Sequence, residues 1–457
     1  MKIPVSLVEK YNVPVPRYTS YPPANFFREN ITVPEYLQAV KESNDRDPRN
    51  ISIYMHIPFC SRLCLYCGCN NHITKDEVIK QDYMKALQME IKMISSLLDH
   101  GRKVSQVHWG GGTPNVIPAV YIGEVMNLLK EEFRFTANPE IAMECNPAYL
   151  DKEYIDKLAA YGFNRISLGV QDFNEKVLRA VNRKAPDIPV PELSDMIRSA
   201  GMSFNLDFIY GLPFQSADSF SGTIDEALKI GPDRLVTFSY AHVPWVKKAQ
   251  KKLEEYGLPP AGEKLKMFEK AWSAMKGAGY VPIGLDHYAK PENSLAQALN
   301  NRTLHRNFQG YCTLETTGQV YAFGVTGISQ LDEGYIQNSK GVTEYIDSQR
   351  KGELRIGKGY FLSEKEKVIR HIINEIMCNN YLSWPQVANC FQSSPGDIKK
   401  LLNFSDDKLE PFSNDRLLDY TGDELFVHDL GRFFLRNIAA LFDPNIDDHT
   451  RKYSKAV

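Results

Sequence analysis

The sequence predicts an α/β protein built on a parallel sheet, with a smaller helical unit behind it. Three observations lead there. Seven short apolar runs alternate with amphipathic helical segments between residues 51 and about 290, and strand followed by helix, repeated, is the pattern of a parallel sheet. From about residue 363 helical periods replace the strand pattern. The chain has 457 residues, 43% hydrophobic and 24% charged, enough to fill two or three domains around at least one large core.

Taken in order, residues 1–50 are rich in proline and aromatic side chains and predict a wrapping arm with little regular structure. The strand candidates are ISIYMHI (51–57), VSQVHWGGG (104–112), EIAMECN (140–146), RISLGVQ (165–171), FNLDFIYG (204–211), RLVTFSYAHV (234–243) and YVPIGLDHY (280–288). Between them YMKALQMEIKMISSLL, IGEVMNLLKEEF, EYIDKLAAYG and EKLKMFEKAWSAMKGAG carry the helical period, several ending at Gly as helices do. Six or seven such units fit a barrel, complete or open, or a doubly wound sheet; periodicity does not choose between them. Polar and Gly residues gather just past the strand ends, from His56 to Cys69 and at Gly110–Thr113, Glu144, Gln171, Asp207 and Asp286, the edge where parallel α/β folds place their sites. Residues 304–313 (LHRNFQGYCT) are polar and aromatic, and 320–329 (VYAFGVTGIS) reads as a strand and a Gly turn. EKEKVIRHIINEIM, WPQVANCFQ, GDIKKLLNF, a hairpin near 416–428 and a last helix GRFFLRNIAALF predict a small, mostly helical, winged-helix-like unit. The expected divisions are 1–50, 51–290, 291–362 and 363–457.

Lys and Arg number 54 against 56 acids, a net charge of −2, so nucleic acid and anionic membrane surfaces are poor partners. No apolar run approaches the roughly 18 residues of a membrane span, and the start MKIPVSLVEKYNVPVPRYTS lacks a signal-peptide core. A cytoplasmic monomer is expected. Of the 8 cysteines, Cys60, Cys64, Cys67 and Cys69 fall within ten positions, which in a reducing compartment points to metal or redox chemistry. Cys60, Cys64 and Cys67, spaced four and three apart, can each take a different iron of a cubic cluster and leave the fourth iron open. A zinc knuckle is the bland alternative, but it usually needs two ligand pairs further apart. Cys69 is either a fourth ligand or points elsewhere.

C-x-x-x-C-x-x-C after a first strand resembles the radical S-adenosylmethionine (SAM) superfamily, which implies a partial (βα)6 barrel and SAM chelated to the open iron, cleaved by one electron to a 5′-deoxyadenosyl radical. PRYTSYP (16–22), YMHIPFC (54–60), HWGGGTP (108–114), GVQDFN (169–174), VNR (181–183), DFIYGLP (207–213), SYAHVP (239–244), LDHYA (285–289) and LHRNFQGY (304–311) are together similar to the oxygen-independent coproporphyrinogen III oxidase family, along essentially the whole chain. The implied reaction is oxidative decarboxylation of two propionates of coproporphyrinogen III to vinyls, giving protoporphyrinogen IX. The alternative is a haem chaperone or haem-processing relative; Cys69 and the PRYTSYP arm favour the oxidase.

The resemblance also implies roles. One [4Fe–4S] cluster would be held by Cys60, Cys64 and Cys67, with Cys69 needed for turnover but not a ligand. A first SAM would contact Tyr54, Gly111, Glu144, Ala241 and Ile328. A second would contact Tyr66, Gly112, Thr113, Gln171, Arg183 and Asp207. Arg17, His305 and Arg306, with Tyr54 beside the reacting centre, are candidates for the substrate, whose carboxylates call for cations. A flavodoxin- or ferredoxin-type electron donor and an unidentified acceptor complete the partners. The arm should cover the active site, and removing residues 1–30 should leave a folded chain.

Overall fold

The computed structural model describes residues 2–284, 286–313 and 318–446; Leu285 of LDHYA and the last residues of the helical unit lie outside them. Six strands lie side by side, parallel and in chain order: β1 Ile51–Ile57, β2 Lys103–Gly111, β3 Arg134–Cys145, β4 Arg165–Gln171, β5 Ser203–Tyr210 and β6 Arg234–Ser239. The helices Glu77–Ser95 (α1), Ala119–Glu132 (α2), Lys152–Tyr161 (α3), Val190–Ser199 (α4) and Ala217–Ile230 (α5) make the crossovers. β1 pairs on its outer side with β7, Gln319–Phe323, and β6 with His287–Ala289, so the barrel stays open, as a partial (βα)6 barrel should.

Side chains alternate across each strand, and here the two faces differ in chemistry. The outward rows, such as Ile53, Met55, Val107, Trp109, Met143, Leu168 and Leu206, are 0–1% exposed and pack against the helices in one core; each fully buried side chain of this kind contributes about 1.5–3 kcal/mol. The inward rows are polar: Tyr54 and His56, Gln106 and His108, Glu140 and Glu144, Arg165 and Ser167, Asn205 and Asp207. A barrel interior is normally filled with branched apolar residues. This one is a lined lumen.

Three expectations need correction. The run YVPIGLDHY does not continue the parallel series: Val281–Pro282 and His287–Ala289 form short antiparallel strands. Pro282 has no N–H for a ladder, and Gly284 passes so close to Tyr311 that a Cβ there would overlap its ring. The arm has more regular structure than predicted, with helices Val5–Tyr11 and Val33–Glu42. Pro34 sits in the first turn of the second, where its missing N–H costs nothing, and Thr32 and Glu35 close a capping box. The arm is also not a detachable cover. Ile3, Tyr11, Val15, Tyr18 and Tyr21 share one core with residues 368–442, Tyr18 Oη donates to Asp443 (2.9 Å), and Arg436 Nε donates to the Pro16 carbonyl (3.0 Å). The barrel's own core draws nothing from residues 1–30, so a truncation uncovers the C-terminal unit while leaving the barrel's packing in place.

That unit joins helices Glu364–Asn379, Trp384–Cys390 and Pro395–Leu402 to a three-stranded sheet, Tyr381–Ser383, Leu418–Tyr420 and Glu424–Val427. The last predicted helix is a 3-10 turn, Gly431–Phe434, leading into Leu435–Ala440. Among the described residues no helix is long and apolar enough to cross a membrane.

Candidate active site

The cysteine loop leaves β1 through Phe59–Cys60, which pairs in parallel with His72–Ile73. Leu65 N–H bonds to the Val181 carbonyl (2.9 Å) and Asn182 Nδ2 to the Leu63 carbonyl (2.7 Å), tying the loop to the end of helix Glu175–Ala180, which follows β4. Cys60 is buried against Thr113, Sγ to Oγ1 3.3 Å, and burial pushes its thiol up to about 11. Cys67 Sγ accepts from the Cys69 N–H (3.4 Å) and Asn71 Nδ2 (3.6 Å). The hydrogen bond with Cys69 lowers Cys67 and raises Cys69, so the pair holds its negative charge on Cys67. Arg183 Nη1 lies 3.7 Å from Cys64 Sγ and 2.9 Å from Tyr66 Oη, and Nη2 donates to the Gly169 carbonyl. Cys69 is exposed at the loop tip, its carbonyl accepting from Lys247 Nζ (2.9 Å).

The Gly run ending β2 is required by close approach. A Cβ on Gly110 would stand 2.8 Å from the Glu144 carboxylate, and one on Gly111, whose φ is +111°, 2.7 Å from the His56 ring; one on Gly112 would meet the Pro58 and Phe59 carbonyls at 2.8 Å. Glu144 lies deep in the fold yet faces the open lumen, its side chain 44% exposed. Burial works against its charge, but the bond to His108 Nε2 (3.0 Å) and the Gly111 N–H (3.4 Å) outweigh it and hold the carboxyl below its usual range. Tyr54 stacks on His108 with ring centroids 6.0 Å apart, and its Oη meets His56 Nδ1 at 3.2 Å. Burial lowers His56 to about 4, so it is neutral at physiological pH.

Across the lumen Asp207 accepts from Ser167 Oγ (2.6 Å) and Asn205 Nδ2 (2.7 Å), and burial raises it to about 6. Gln171 holds a positive φ of 72° at an irregular step in the β4 ladder, with its Nε2 near Gly169; strain of this kind gathers at working sites. Arg183 and Asp207 therefore border one site without pairing to each other. Ala241 is exposed, its carbonyl taking a bond from Gln250 (3.4 Å), and Ile328 packs beside Phe27 and Tyr335. The substrate candidates separate. Arg17 faces Asp286 at 3.6 Å. His305 and Arg306 are adjacent on one strand of the hairpin Leu304–Asn307/Gly310–Thr313 and so point oppositely: Arg306 toward Tyr311, His305 toward the helix bearing Arg370 and His371. Sequence reasoning left His56, His108, Ser167 and Asn205 without roles, although polar residues at every second strand position mark them. A cavity of about 880 Å³ opens at the far end of the lumen, beside Gln106, Glu140, Arg165 and Arg234; no residue of the cysteine loop lines it, and it is not the candidate site.

Residues 54–227 match the radical SAM superfamily. A curated relative from Synechocystis sp., named oxygen-independent coproporphyrinogen III oxidase, is 42% identical over 378 residues, 82% of this chain and 81% of its own. One of the same name from Helicobacter pylori is 36% identical over 451 residues, 98% of each chain. The chain belongs to the oxygen-independent coproporphyrinogen III oxidase family. A solved structure, described as coproporphyrinogen III oxidase from Escherichia coli and as a radical SAM enzyme, superposes with a TM-score of 0.88 at 36% identity, covering 97% of this chain and 100% of that one.

Membership of this oxidase family implies an iron–sulfur cluster and SAM, and the loop fits them. Its thiols lie on one segment, the Cys67 sulfur already accepts two N–H groups, and Arg183 adds positive charge, which is how a protein stabilises thiolates bound to iron. Among the described residues no three His, Cys, Asp or Glu side chains close on one point as a single ion needs, whereas a cubane takes each thiolate on a different iron.

Proposed function

We propose that this radical SAM enzyme converts coproporphyrinogen III to protoporphyrinogen IX without oxygen, turning two propionates into vinyls with loss of carbon dioxide. One observation carries the reading: the whole-chain likeness to the coproporphyrinogen III oxidase structure, TM-score 0.88 at 36% identity. When bound, the cluster and SAM supply the electron and the adenosyl radical that takes a hydrogen atom from the substrate. Cys60, Cys64 and Cys67 are the ligands we assign to the cluster, with Cys69 left for turnover. The chain's own share is to bind, orient and exclude water.

Glu144, held ionised by His108 and Gly111, would accept hydrogen bonds from the ribose hydroxyls of the first SAM, while Gly111, Tyr54, Ala241 and Ile328 would shape that site. Arg183, held on Gly169, and Asp207, the register partner of Gly169 on the next strand, suit the carboxylate and ammonium of a second SAM, beside Tyr66, Gly112, Thr113 and Gln171. His56, neutral, packs Gly111 and lines the lumen without adding charge. We assign residues 51–290 to catalysis, 291–362 to the substrate side, 1–50 to closure of the site and 363–457 to bracing that closure. An external flavodoxin- or ferredoxin-type protein supplies the electron, and an external acceptor takes the one left after decarboxylation. Anaerobic incubation with SAM, a reductant, coproporphyrinogen III and cell extract should yield protoporphyrin after oxidation. Consumption of SAM with no loss of coproporphyrinogen would refute the substrate.

A further inference from the structure

Residues 243–256 form a bracket against the cysteine loop. Gln250, 1% exposed, holds it in place: its Oε1 accepts from the Val243 N–H (2.6 Å), and its Nε2 donates to the carbonyls of Tyr66 (3.1 Å) and Ala241 (3.4 Å). Lys247 Nζ donates to the Cys69 carbonyl (2.9 Å). Leu253, fully buried, packs in one apolar cluster with Leu65 and Tyr66 of the loop. Lys248–Tyr256 is a 3-10 helix, and with three residues per turn Gln250 and Leu253 fall on one inward row. The other rows face solvent. Lys248, Lys251 and Lys252 are exposed and, among the described residues, make no ion pair; Glu254 is engaged instead by His242 Nε2 (2.9 Å). Just before the helix stand Trp245 and Val246, 72% and 64% exposed, whereas the other three tryptophans of the chain are 0–3% exposed.

An exposed apolar group rimmed by charge marks an interaction surface, and tryptophan is among the residues such surfaces favour. We propose that Trp245, Val246, Lys248, Lys251 and Lys252 are the docking surface for the electron donor, an acidic flavodoxin-type protein; this rests on the external-donor reading above and gives that donor a place on the chain. Three features point to this partner. The bracket touches the cysteine loop at Tyr66 and Cys69, so a protein seated on it lies against the segment that carries the assigned cluster ligands. Residues 247–256 hold four lysines and two glutamates in a chain of net charge −2, a local positive field that steers an acidic partner and lets it leave again. The patch is small, as electron-transfer encounters are, with less than about 1,200 Å² buried, and the open face of an indole suits a planar redox group such as a flavin. In the transfer the flavin hydroquinone is oxidised by one electron to the semiquinone and the cluster is reduced by that electron; no covalent bond changes.

The test compares wild type, a triple variant carrying Lys248→Glu, Lys251→Glu and Lys252→Glu, and Trp245→Ala, each as reconstituted holoenzyme. Equilibrium binding of a purified bacterial flavodoxin is measured at low and at high salt. SAM cleavage is driven either by flavodoxin hydroquinone or by dithionite, which needs no docking surface. The triple variant should bind flavodoxin at least about tenfold more weakly at low salt, with the gap closing at high salt, and should lose flavodoxin-driven cleavage in step. Trp245→Ala should weaken binding at both salts. Iron per chain, dithionite-driven cleavage and the affinity for coproporphyrinogen III should match wild type in both. If flavodoxin binds and drives wild type and triple variant equally, the donor reading stands and this surface is overturned. A triple variant that loses coproporphyrinogen III instead of flavodoxin also overturns it, since the lysines would then serve the substrate. If dithionite drives cleavage in wild type and flavodoxin does not, the donor reading itself fails.

Discussion

Gly112→Ala should cost this enzyme its cluster without touching a ligand. The added methyl would stand 2.8 Å from the carbonyl oxygens of Pro58 and Phe59, while ordinary contact starts at 3.4 Å, so the main chain must open by 3.4 − 2.8 = 0.6 Å. Neither neighbour is a side chain that can rotate away. Both belong to the segment carrying Cys60, and the Gly112 N–H bond to Ile57 (2.7 Å) and the Thr113 N–H bond to Phe59 (2.9 Å) clamp the two strands at that spot. Overpacking of this kind costs about 1–3 kcal/mol. The displacement also moves Cys60 away from Thr113. Gly68→Ala is the control on the same loop, because nothing lies within 4 Å of its Cβ position. Iron per chain after anaerobic reconstitution and the urea midpoint are the readouts. Gly112→Ala should lose on both and Gly68→Ala on neither; a Gly112→Ala chain with wild-type iron and midpoint refutes the steric argument.

Cys64→Ser should strip iron and end SAM cleavage, while Cys69→Ala should keep a full cluster and lose only decarboxylation; equal iron loss in both would make Cys69 a ligand. Equilibrium binding should find two SAM per chain in wild type and about one in Asp207→Asn. Since Asp207 is raised to about 6 by burial, the second site should also weaken as pH falls through that value, and a flat profile between pH 5 and 8 would detach Asp207 from it. Glu140→Gln leaves Arg165 and Arg234 buried without their carboxylate and should destabilise by about 3–5 kcal/mol in denaturant titration. Burial opposes the charge of Glu140, but the two arginines prevail and hold its pKa far below the usual range. Its contribution is therefore present above the unfolded value near 4.3 and is lost as pH falls below it.

The cysteine loop and the six parallel strands were legible because their signals are local: three thiols within eight positions, and apolar runs of strand length between helical periods. What escaped was long-range or positional. β7 lies beside β1 although some 268 residues separate Ile51 from its partner Gln319, and nothing in either run names the other. The helix Val33–Glu42 was masked by Pro34, yet Thr32 and Glu35 spelled its start. The core shared by Tyr18, Tyr21 and Phe442 joins the two ends of the chain, a pairing no window of sequence contains. The lumen was present in the sequence as alternation, since ISIYMHI and FNLD place polar residues at every second position; read as apolar runs, they hid the functional face.

That alternation separates stability from chemistry within single strands. On β4, Ile166 and Leu168 are 0% exposed and face the helices, while Arg165, Ser167 and Gln171 face the lumen; the same holds for Leu206 and Phe208 against Asn205 and Asp207 on β5. Loss of an outward side chain leaves a cavity costing about 2–5 kcal/mol, which falls on the fold and reaches every function at once. Loss of an inward one falls on ligand affinity where, as at Asp207, the side chain borders the candidate site, and on stability where, as at Glu140, it neutralises two buried arginines. At the cysteine loop Glu144, Asp207 and Arg183 put charges of both signs beside the candidate site, whereas at the far wall Arg165 and Arg234 are engaged by Glu140, so one alternation builds a ligand-facing end and a braced end of the same lumen.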